Sequence, residues 1–413
     1  MSKKAPWLDP MPDEQFDVMR EIISAPSPVG LESAMTLGVL KPYFDSFMPK
    51  SWGMHQHAGN ASVVWDSHPD KDDMFSIMLI GHADKIRLQV RKIGADGKIW
   101  INSDSFLPCT LIGHEVTLFS EDPDTPGDYR SLTGGTVEAL GAIHFSEMGH
   151  RTGDKGIRPT QLYLDLQIHG KNKADQIKRL GVKAGDSLLL MRPIKRGFSP
   201  DTFYGAYLDN GLGCFVTAEV AKLLAKATAL KKVRVLFAIA SHEEIGRFGS
   251  RILAGVHKPD AIIAIDVNHD YVAAPNIGDR NMTPLTMGDG FTVSVGAIVS
   301  EQLNARIKKA AIKHKIPMQL DVTGRDTGTD GMAGVLGNID SAATSIGFPT
   351  RNMHTISESG HTGDVLAAIH VIYQTIVAMD KEKGDLRKSF KTTHPRLDKT
   401  TELVHQGYEK IEK

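Results

Sequence analysis

Two adjacent carboxylates, Glu243 and Glu244, follow a short run of apolar and small residues at 235–241. The run is too short for a free-standing helix, so it predicts a strand that is buried on both faces of a parallel sheet. Ligands of open α/β sheets bind beyond the carboxyl ends of the strands, which is where the two glutamates lie. Neighbouring residues of an extended chain point to opposite sides, so one glutamate could bind a metal ion while the other handles protons. The open alternative is a pair of surface glutamates that opens a helix, where acidic side chains suit the positive end of the dipole.

Two other apolar strands are predicted to end in side chains of the same kind. Residues 75–84 end in His82 and Asp84, which lie two apart on an extended chain and therefore share one face. A histidine ligand with a nearby carboxylate that orients it recurs at metal sites, and the alternative is a His-x-Asp that caps the following turn. Residues 261–266 form the other strand, which ends in Asp266. Three apolar strands with such ends make a chance arrangement less plausible.

Asp209 and His354 stand at two further positions that suit ligands. Asp209 lies among glycines at the entrance to a predicted helix at 214–227, where it is either an N-cap or a carboxylate that bridges two metal ions. His354 follows a predicted strand and a proline-directed turn within 341–354. The candidate site collects these strand-end and turn residues, namely His82, Asp84, Asp209, Glu243, Glu244, Asp266 and His354.

Two histidines and three carboxylates match the ligand count of a pair of divalent metal ions that share one aspartate. Imidazole together with carboxylate favours zinc, cobalt or manganese over calcium. Two such ions about 3.5–4 Å apart can activate a bridging water and stabilise both the attacking and the departing charge. One carboxylate must then stay free of metal, as the general base that passes a proton to the leaving amine. The sequence has no Cys/His cluster that would indicate a structural zinc module.

The bulk composition excludes several classes of function. The 413 residues include 48 basic and 49 acidic side chains, so no net charge favours binding to nucleic acid or to a membrane surface. Cys109 and Cys214 are the only cysteines and lie far apart, which indicates a reducing compartment without a disulfide framework. The first residues lack the apolar core of a signal peptide, and no run approaches the ~18 apolar residues of a membrane helix. These features predict a soluble cytoplasmic protein.

The predicted elements describe an α/β domain that is interrupted by a β-rich insert. Helices are expected within 11–48, on both sides of a turn at 24–30, and a strand pair is expected at 51–66 around Gly59-Asn60. Short strands alternate with glycine-containing turns through 92–200, a texture typical of a small β-rich insert. Further helices are predicted at 248–255, 303–315 and 364–379. We therefore predict a catalytic domain in two parts, at 1–91 and 201–380, with the β-rich insert at 92–200 between them. A charged tail at 381–413 is expected to lie outside the core.

Several motifs in a fixed order connect this chain to a known family. The motifs are Gly59-Asn60, Gly81-His-Ala-Asp84, Leu162-Tyr-Leu-Asp-Leu, Gly181-Val-Lys-Ala-Gly-Asp186, Leu208-Asp-Asn-Gly-Leu-Gly-Cys214, His242-Glu-Glu-Ile-Gly246, Ile265-Asp266, Gly328-Thr-Asp330 and Gly347-Phe-Pro-Thr-Arg-Asn-Met-His354. They cover roughly residues 15–380, and together they are highly specific although each is weak alone. In these motifs the chain resembles the dinuclear-metal aminopeptidases of the tetrahedral, glutamyl and deblocking type, within the wider zinc-exopeptidase fold.

The resemblance implies a fold and an assembly. The fold would be α/β, with a mixed, mostly parallel central sheet flanked by helices. The insert would be the family's small β-barrel domain, which assists assembly and shapes access to the site. The chain would self-associate, with dimers that assemble into a dodecamer whose active sites face an interior chamber.

The resemblance also implies a role for each candidate residue. His82 and Asp266 would bind one metal ion, and Glu244 and His354 would bind the other. Asp209 would bridge the two ions. Glu243 would be the general base, and Asp84 would be the carboxylate that orients His82. The cofactor would be two divalent ions per chain, zinc in the first place, with cobalt or manganese as alternatives.

Two departures from the family's usual pattern concern the substrate. The His-x-Asp motif is followed by Lys85-Ile-Arg87, where related sequences usually carry a glutamate and then Ile-Gly. The bridging aspartate is followed by Asn210-Gly211, where they usually carry Asp-Arg. We hypothesise that Lys85 or Arg87 adds positive potential at the pocket mouth and favours acidic substrates. The alternative is a charge that points outward from the turn. Arg351 is a third candidate for substrate binding.

The leading functional prediction is a cytoplasmic aminopeptidase that removes N-terminal residues from peptides by metal-activated water. A related dinuclear amidohydrolase, such as a deacylase that acts on a small modified peptide, would use the same ligands. A metal-free scaffold that uses the β-rich insert for protein contacts is the alternative from another class, and it would bind no stoichiometric metal.

Overall fold

The computed structural model of the protein describes residues 5–58, 62–103, 105–274 and 282–391. The predicted Gly59-Asn60 turn and the tail beyond residue 391 lie outside the described residues. The strands are β1 (Gly53–Gln56), β2 (Val63–Asp66), β3 (Phe75–His82), β4 (Leu88–Ile93), β5 (Ile99–Ser103), β6 (Glu115–Glu121), β7 (Tyr129–Ala139), β8 (Leu162–Asp165), β9 (Ser187–Leu190), β10 (Lys195–Arg196), β11 (Thr202–Gly205), β12 (Val233–Ala240), β13 (Ala261–His269), β14 (Phe291–Val295), β15 (Met318–Val322), β16 (Ala342–Thr350) and β17 (Glu358–His361). The helices are α1 (Asp13–Ser24), α2 (Ser33–Met35), α3 (Lys41–Asp45), α4 (Met148–Thr152), α5 (Lys173–Arg179), α6 (Leu208–Lys226), α7 (Phe248–His257), α8 (Glu301–His314), α9 (Ala333–Leu336), α10 (Thr362–Asp380) and α11 (Leu386–Phe390).

The central sheet has eight strands in the order β1-β2-β12-β3-β13-β16-β14-β15. Its four middle strands, from β12 to β16, run parallel. β2 is antiparallel to β12 and β14 is antiparallel to β16, so the sheet is mixed and mostly parallel in its middle, as predicted. The register places Ala240, the last residue of β12, beside His82, the last residue of β3. The carboxyl ends of these strands therefore meet at one edge of the sheet, which we call the C-terminal edge.

Apolar residues make the middle strands because helices cover both faces of the sheet. β3 is buried at every position, and its side chains alternate between the two faces. Ile77 and Leu79 pack into the larger core with residues of α1, α6 and α10. Met78 and Ile80 pack into a smaller core with residues of α7 and α9. Burial on both sides explains the near-continuous apolar runs that identified these strands in the sequence.

Two glycines allow α6 to lie very close to the sheet. A Cβ atom on Gly81 of β3 would come within 2.6 Å of the Gly213 carbonyl carbon. A Cβ atom on Gly213 of α6 would come within 2.3 Å of the Ile265 carbonyl oxygen of β13. These distances are far below van der Waals contact, so a larger residue at either position would push the helix away. The close approach brings the start of α6, which carries Asp209, down to the C-terminal edge.

The insert is a closed barrel with the strand order β4-β5-β8-β7-β6-β9. Every neighbouring pair in it is antiparallel, and the predicted small β-barrel is confirmed. Its strands run from Leu88 to Leu190, whereas the sequence division placed the insert at 92–200. The domain boundaries themselves stay a prediction. A separate three-stranded sheet, β10-β11-β17, follows the barrel.

The predicted helices of the second half are present with ends shifted by a few residues. The segments predicted at 248–255, 303–315 and 364–379 correspond to α7, α8 and α10. α10 is the one described helix whose length and mean hydropathy of 1.3 would suit a membrane span. However, 72% of its most apolar window is buried inside the protein, as is typical of a core helix.

The first part of the predicted tail belongs to the folded domain. Leu386 of α11 is a core residue with 5% of its surface exposed, and the Phe390 ring stacks on the Phe75 ring of β3. Arg387 donates hydrogen bonds to Asp260 and to main-chain carbonyl oxygens of residues 72–74. The expectation that residues from 381 onward lie outside the core is therefore wrong for this part. A single leucine, an aromatic ring and an arginine anchor a segment whose composition is otherwise charged.

Candidate metal centre

The C-terminal edge of the sheet collects the candidate residues from neighbouring strands. His82 ends β3, and Asp266 lies on β13, which pairs with β3 in parallel register. Glu243 and Glu244 follow β12, on the other side of β3. Sheet pairing therefore brings residues together that are up to 184 positions apart in sequence, as the strand-end pattern predicted.

The first group of possible metal ligands is His82, Asp209 and Asp266, whose ligand atoms all lie within 4.8 Å of one another. The Nε2 atom of His82 is 3.2 Å from Oδ1 of Asp209 and 3.9 Å from Oδ1 of Asp266. His82 and Asp266 are buried. One imidazole and two carboxylates thus face a common point.

The second group is Asp209, Glu244 and His354, again with all ligand atoms within 4.8 Å. The Nε2 atom of His354 is 3.1 Å from Oδ2 of Asp209 and 3.8 Å from Oε2 of Glu244. Asp209 therefore directs one carboxylate oxygen to each group, which is the arrangement of a bridging ligand. The structure brings together all five residues that the sequence suggested as ligands, in the pairs that the resemblance implied.

The chemistry of these donors fits a pair of divalent cations. Oδ1 of Asp209 and Oε1 of Glu244 are buried and have no hydrogen-bond partner among the described residues. Buried polar atoms are nearly always paired, because an unpaired one costs about 1–3 kcal/mol. A cation at each group would satisfy these oxygens, and imidazole with carboxylate suits zinc, cobalt or manganese.

Asp209 and His354 are placed by irregular backbone rather than by strand pairing. The backbone of Asp209 and Asn210 is non-helical, and the peptide bond between them is cis. The Asn210 amide donates to the Ile265 carbonyl oxygen, and its Oδ1 accepts from the Gly213 N–H, both at 2.8 Å. These bonds attach the helix entrance to β13. His354 has a φ of 60°, a left-handed conformation that is uncommon for a residue with a side chain.

Asp84 organises the residues that follow β12. Its Oδ1 accepts the backbone N–H of Glu243 and its Oδ2 accepts that of Glu244, both at 3.1 Å. The Nδ1 atom of His82 lies 3.1 Å from the Asp84 carbonyl oxygen and 3.5 Å from its Oδ1. The main chain of Asp84 is thus the nearer partner of the His82 ring, while the carboxylate holds the two glutamates. The sequence suggested only the contact with His82.

Glu243 and Glu244 lie on a turn and not on the strand. β12 ends before them, and the intervening His242 has a φ of 58°. The expectation that strand alternation separates the two glutamates is therefore wrong, because the turn separates them instead. Oε2 of Glu244 is 3.8 Å from His354, whereas Oε2 of Glu243 is 3.8 Å from His82. Glu243 belongs to neither ligand group.

Burial and mutual repulsion control the ionisation of these carboxylates. Burial raises the pKa of Glu243 to about 9 despite the nearby histidine ring. Burial, followed by the charge of Asp209, raises the pKa of Glu244 and that of Asp266. Burial opposes the ionisation of Asp209 too, but the nearby rings of His354 and His82 outweigh it and lower its pKa. Crowded buried carboxylates of this kind are stabilised in their charged form by bound cations.

The structure does not bring Lys85 or Arg87 to the ligand groups. Lys85 is 1% exposed, and its ammonium donates to main-chain carbonyl oxygens at the end of α1. Burial lowers the pKa of Lys85 to about 7. Arg87 donates to the Val29 carbonyl oxygen and to Ser187 Oγ, both at 2.8 Å. Because both cations are directed into the protein, the hypothesis that they attract acidic substrates has no support in their positions.

A cavity of about 400 Å³ opens onto both ligand groups. Its described lining includes the carboxylates of Asp321 and Asp326 and contains no lysine or arginine. Asp326 pairs with Arg247 at 2.6 Å, whereas Asp321 accepts a hydrogen bond from the Asn268 amide at 3.2 Å. Arg247 thus neutralises the charge of Asp326. The Asp321 carboxylate contacts only a neutral amide among the described residues.

Arg351 lines an adjoining cavity of about 370 Å³, which shares His269 and Tyr271 with the first. Its Nε donates to Oδ2 of Asp270 at 2.8 Å. Arg351 is therefore near the site but already paired, and its part in substrate binding stays a prediction.

Sequence reasoning missed Glu358 and Asn268. Glu358 is 3% exposed and accepts backbone N–H groups next to two ligands, although it follows no apolar run. Its only signal in the sequence is its position four residues after His354. Asn268 lies two residues after Asp266 on β13, so strand alternation places both on one face, and that spacing could have identified it.

Comparison with solved structures shows a shared fold. A TET aminopeptidase from the marine sediment archaeon Thaumarchaeota archaeon SCGC AB-539-E09 matches with a TM-score of 0.77 at 20% identity, over 92% of this chain and 100% of that one. A Pyrococcus horikoshii TET1 peptidase, described as able to assemble into a tetrahedron or a large octahedral shell, matches with a TM-score of 0.70 at 20% identity, over 87% and 98%. These matches confirm the predicted zinc-exopeptidase-like architecture.

Comparison of sequences identifies the family. A lysyl aminopeptidase of Pyrococcus furiosus is 25% identical over 356 residues, which are 85% of this chain and 93% of that protein. A glutamyl aminopeptidase of Lactococcus lactis subsp. cremoris is 22% identical over 378 residues, or 90% and 98%. The family model for M42 glutamyl aminopeptidase matches residues 60–371, which is most of the chain. This protein belongs to the M42 glutamyl aminopeptidase family.

Proposed function

We propose that this protein is a dinuclear, co-catalytic metallo-aminopeptidase. Its family makes it an aminopeptidase, and its relatives carry that name. The observation that carries the metal mechanism is the position of Asp209, which offers one oxygen to each of two ligand groups. A shared carboxylate of this kind holds two divalent ions close enough to act on one water.

The chain's own residues suit hydrolysis of an N-terminal peptide bond. Two divalent cations would supply a water of lowered pKa and stabilisation of the developing charge. Glu243 is the general base of this proposal, because it lies beside His82 without belonging to either ligand group. Its carboxylate would accept a proton from the attacking water and return it to the leaving amine. The hydrogen bond from the Glu243 N–H to Asp84 fixes the start of this side chain before substrate arrives.

The charges of the cavity favour a cationic N-terminal residue over an acidic one. Asp321 contacts Asn268, which lies two residues after the ligand Asp266 on β13, and its carboxylate lines the same cavity as the first ligand group. No lysine or arginine is part of the described cavity lining. A lysine or arginine side chain of the substrate could pair with Asp321, whereas a glutamate would be repelled. This direction is opposite to the hypothesis based on Lys85 and Arg87.

The two alternative functions differ in how the structure supports them. A deacylase or other amidohydrolase that acts on a small modified peptide would use the same ligands. However, the relatives from Pyrococcus furiosus and Lactococcus lactis are both named as aminopeptidases. A metal-free scaffold gives no reason for buried carboxylate oxygens without partners at the C-terminal edge. The aminopeptidase is therefore the function we propose.

Digestion of a peptide library tests this function against its closest alternative. The purified chain, loaded with zinc, cobalt or manganese, is incubated with free and N-acetylated forms of the same peptides, and the products are read by mass spectrometry. We expect stepwise loss of N-terminal residues from the free peptides only, and no loss after chelation. Release of acetate from the blocked peptides, with the free ones intact, would indicate a deacylase instead.

We also propose that the chain self-associates, with dimers that build a dodecamer. Phe248, Ile252 and Val256 are spaced four apart on α7 and are 46–58% exposed, so they form one apolar stripe on the surface. Contiguous exposed apolar side chains often mark protein interfaces. The assemblies named for the Pyrococcus horikoshii relative agree with this proposal. A cytoplasmic location stays a prediction from the sequence.

Light scattering after size-exclusion chromatography tests the assembly. We expect Ile252→Asp to reduce the oligomer, because it places a charge in the apolar stripe. Ile312→Asp is the matched control, since Ile312 is 75% exposed on α8, a different helix. If Ile252→Asp forms an oligomer of unchanged mass, the apolar stripe is not part of the interface.

A further inference from the structure

Glu358 is a buried carboxylate whose two oxygens contact two different segments of the metal centre. Its Oε1 accepts the backbone N–H of His354 at 2.8 Å. Its Oε2 accepts the backbone N–H of Leu208 at 2.5 Å and that of Asp209 at 3.4 Å. These segments are separated by almost 150 residues in sequence, and one carboxylate spans the gap between them.

Both segments carry metal ligands on irregular backbone. Asp209 and its neighbour lack helical geometry, and His354 is in a left-handed conformation. The loop of His354 is closed at its base, where Arg351 and Ser359 exchange two backbone hydrogen bonds at 3.0 Å. Glu358 directly precedes Ser359 in the sequence, so it belongs to the loop that these two bonds close. From there its carboxylate reaches the first residues of α6.

The position of Glu358 requires a carboxylate rather than any buried polar group. A buried charge is costly unless its oxygens are satisfied, and here both oxygens accept backbone N–H groups. An amide could accept on one side only, because its NH₂ group would face an N–H on the other. Asp84 holds Glu243 and Glu244 in the same way, with one oxygen for each of their two backbone N–H groups.

We propose that Glu358 is a positioning residue that sets the distance between the bridging Asp209 and His354, and thereby the affinity of the second ligand group for its cation. This inference rests on the metal centre of the proposed function. Glu358 itself donates no ligand atom to either described group. Partners of metal ligands that orient them without binding the ion typically change metal affinity about 10- to 100-fold when they are replaced.

Zinc titration of the chelator-stripped chain tests this role. Calorimetry and metal analysis are performed on the wild type and on Glu358→Gln, which keeps the size of the side chain. We expect one zinc to bind the variant with nearly wild-type affinity and the other to bind about 10- to 100-fold more weakly. Glu358→Asp, which keeps the charge but is too short to span both segments, is expected to show the same selective loss and serves if Glu358→Gln does not fold.

Glu219→Gln is the matched control. Glu219 is also a buried glutamate on α6, but it lies ten residues after Asp209 and accepts hydrogen bonds from Gln15 and Tyr43, which belong to neither ligand group. Its replacement is expected to lower the unfolding temperature and leave both zinc affinities unchanged. Wild-type zinc affinities in Glu358→Gln, even with a lowered unfolding temperature, would reduce Glu358 to a structural role. A wild-type chain that binds no zinc, cobalt or manganese would refute the metal centre itself, and the role of Glu358 with it.

Discussion

His82 and Asp266 are held at the C-terminal edge by the hydrogen bonds of parallel strands, whereas Asp209 and His354 project from a helix entrance and a loop. We call the first two residues the strand half of the site and the last two the loop half. In the strand half, sheet register alone brings the ligands together. In the loop half, the same precision depends on separate buried groups, Glu358 and Asn210, that accept or donate backbone hydrogen bonds. Ligands on regular strands are positioned by the hydrogen bonds of the sheet, whereas ligands on irregular backbone require hydrogen bonds from additional buried side chains.

The largest effect is expected for Glu243, which belongs to neither ligand group. Glu243→Gln removes the general base but no ligand, so kcat should fall about 10²- to 10⁴-fold while both metals remain bound. Steady-state kinetics and metal analysis on the same sample measure the two quantities. Turnover near that of the wild type would show that another group moves the proton.

Loss of either ligand of the loop half should give a different metal content, because Asp209 belongs to both ligand groups and His354 to one. Asp209→Ala removes the shared carboxylate, and we expect it to bind no metal stoichiometrically. His354→Ala removes one ligand of the second group only, so about one ion per chain should remain, held by His82, Asp209 and Asp266. Mass spectrometry of the native protein counts the ions directly. Equal metal loss in the two variants would mean that the two groups form one indivisible site.

The attachment between the two halves can be weakened without touching a ligand. Asn210→Ala removes the hydrogen bond to the Ile265 carbonyl oxygen and the one from the Gly213 N–H, and it leaves both groups buried without partners. We expect the free energy of unfolding to fall by about 2 kcal/mol, measured by urea denaturation of the metal-free chain. A loss no larger than that of an exposed control such as Lys309→Ala would show that other contacts hold the entrance of α6.

The smallest effect concerns the substrate. Asp321→Asn removes the carboxylate of the cavity that contacts only a neutral amide, and we expect the ratio of kcat/KM for lysyl over glutamyl anilides to fall by up to about fivefold, since a partly exposed ion pair contributes about 0.2–1 kcal/mol. Asp326→Asn is the control, because the charge of Asp326 is already balanced by Arg247. An unchanged ratio in Asp321→Asn, with leucyl and lysyl substrates both cleaved, would exclude this carboxylate from substrate selection and leave the aminopeptidase function intact.

The contrast between the halves also explains what could be read from the sequence. The strand half was predictable from composition, because a buried parallel strand needs an apolar run and its last residues must face the C-terminal edge. His82 is the last residue of such a strand, whereas Asp266 follows the apolar run at 261–265 but β13 continues beyond it to His269. The pairing of Asp209 with both groups came from resemblance to a family, since an aspartate at a helix entrance is more often a cap.

Other features depend on contacts that no local pattern encodes. His242, which leads from β12 into the turn of the two glutamates, is left-handed, and nothing in the apolar run before it predicts that conformation. The Lys85 side chain is buried because its ammonium donates to carbonyl oxygens at the end of α1, which lie about 60 residues earlier in the sequence. Glu358 acts through backbone N–H groups, which every residue has, so its partners leave no trace in the sequence.

The anchoring of α11 has a practical consequence for attaching this protein to a surface or to a second domain. Arg387 binds the carbonyl oxygens that precede β3, at the opposite end of the strand from His82. An eight-residue strand spans about 26 Å, at about 3.3 Å per residue. A label, linker or fusion partner joined at Lys391 would therefore start about one strand length from the C-terminal edge and its ligand groups.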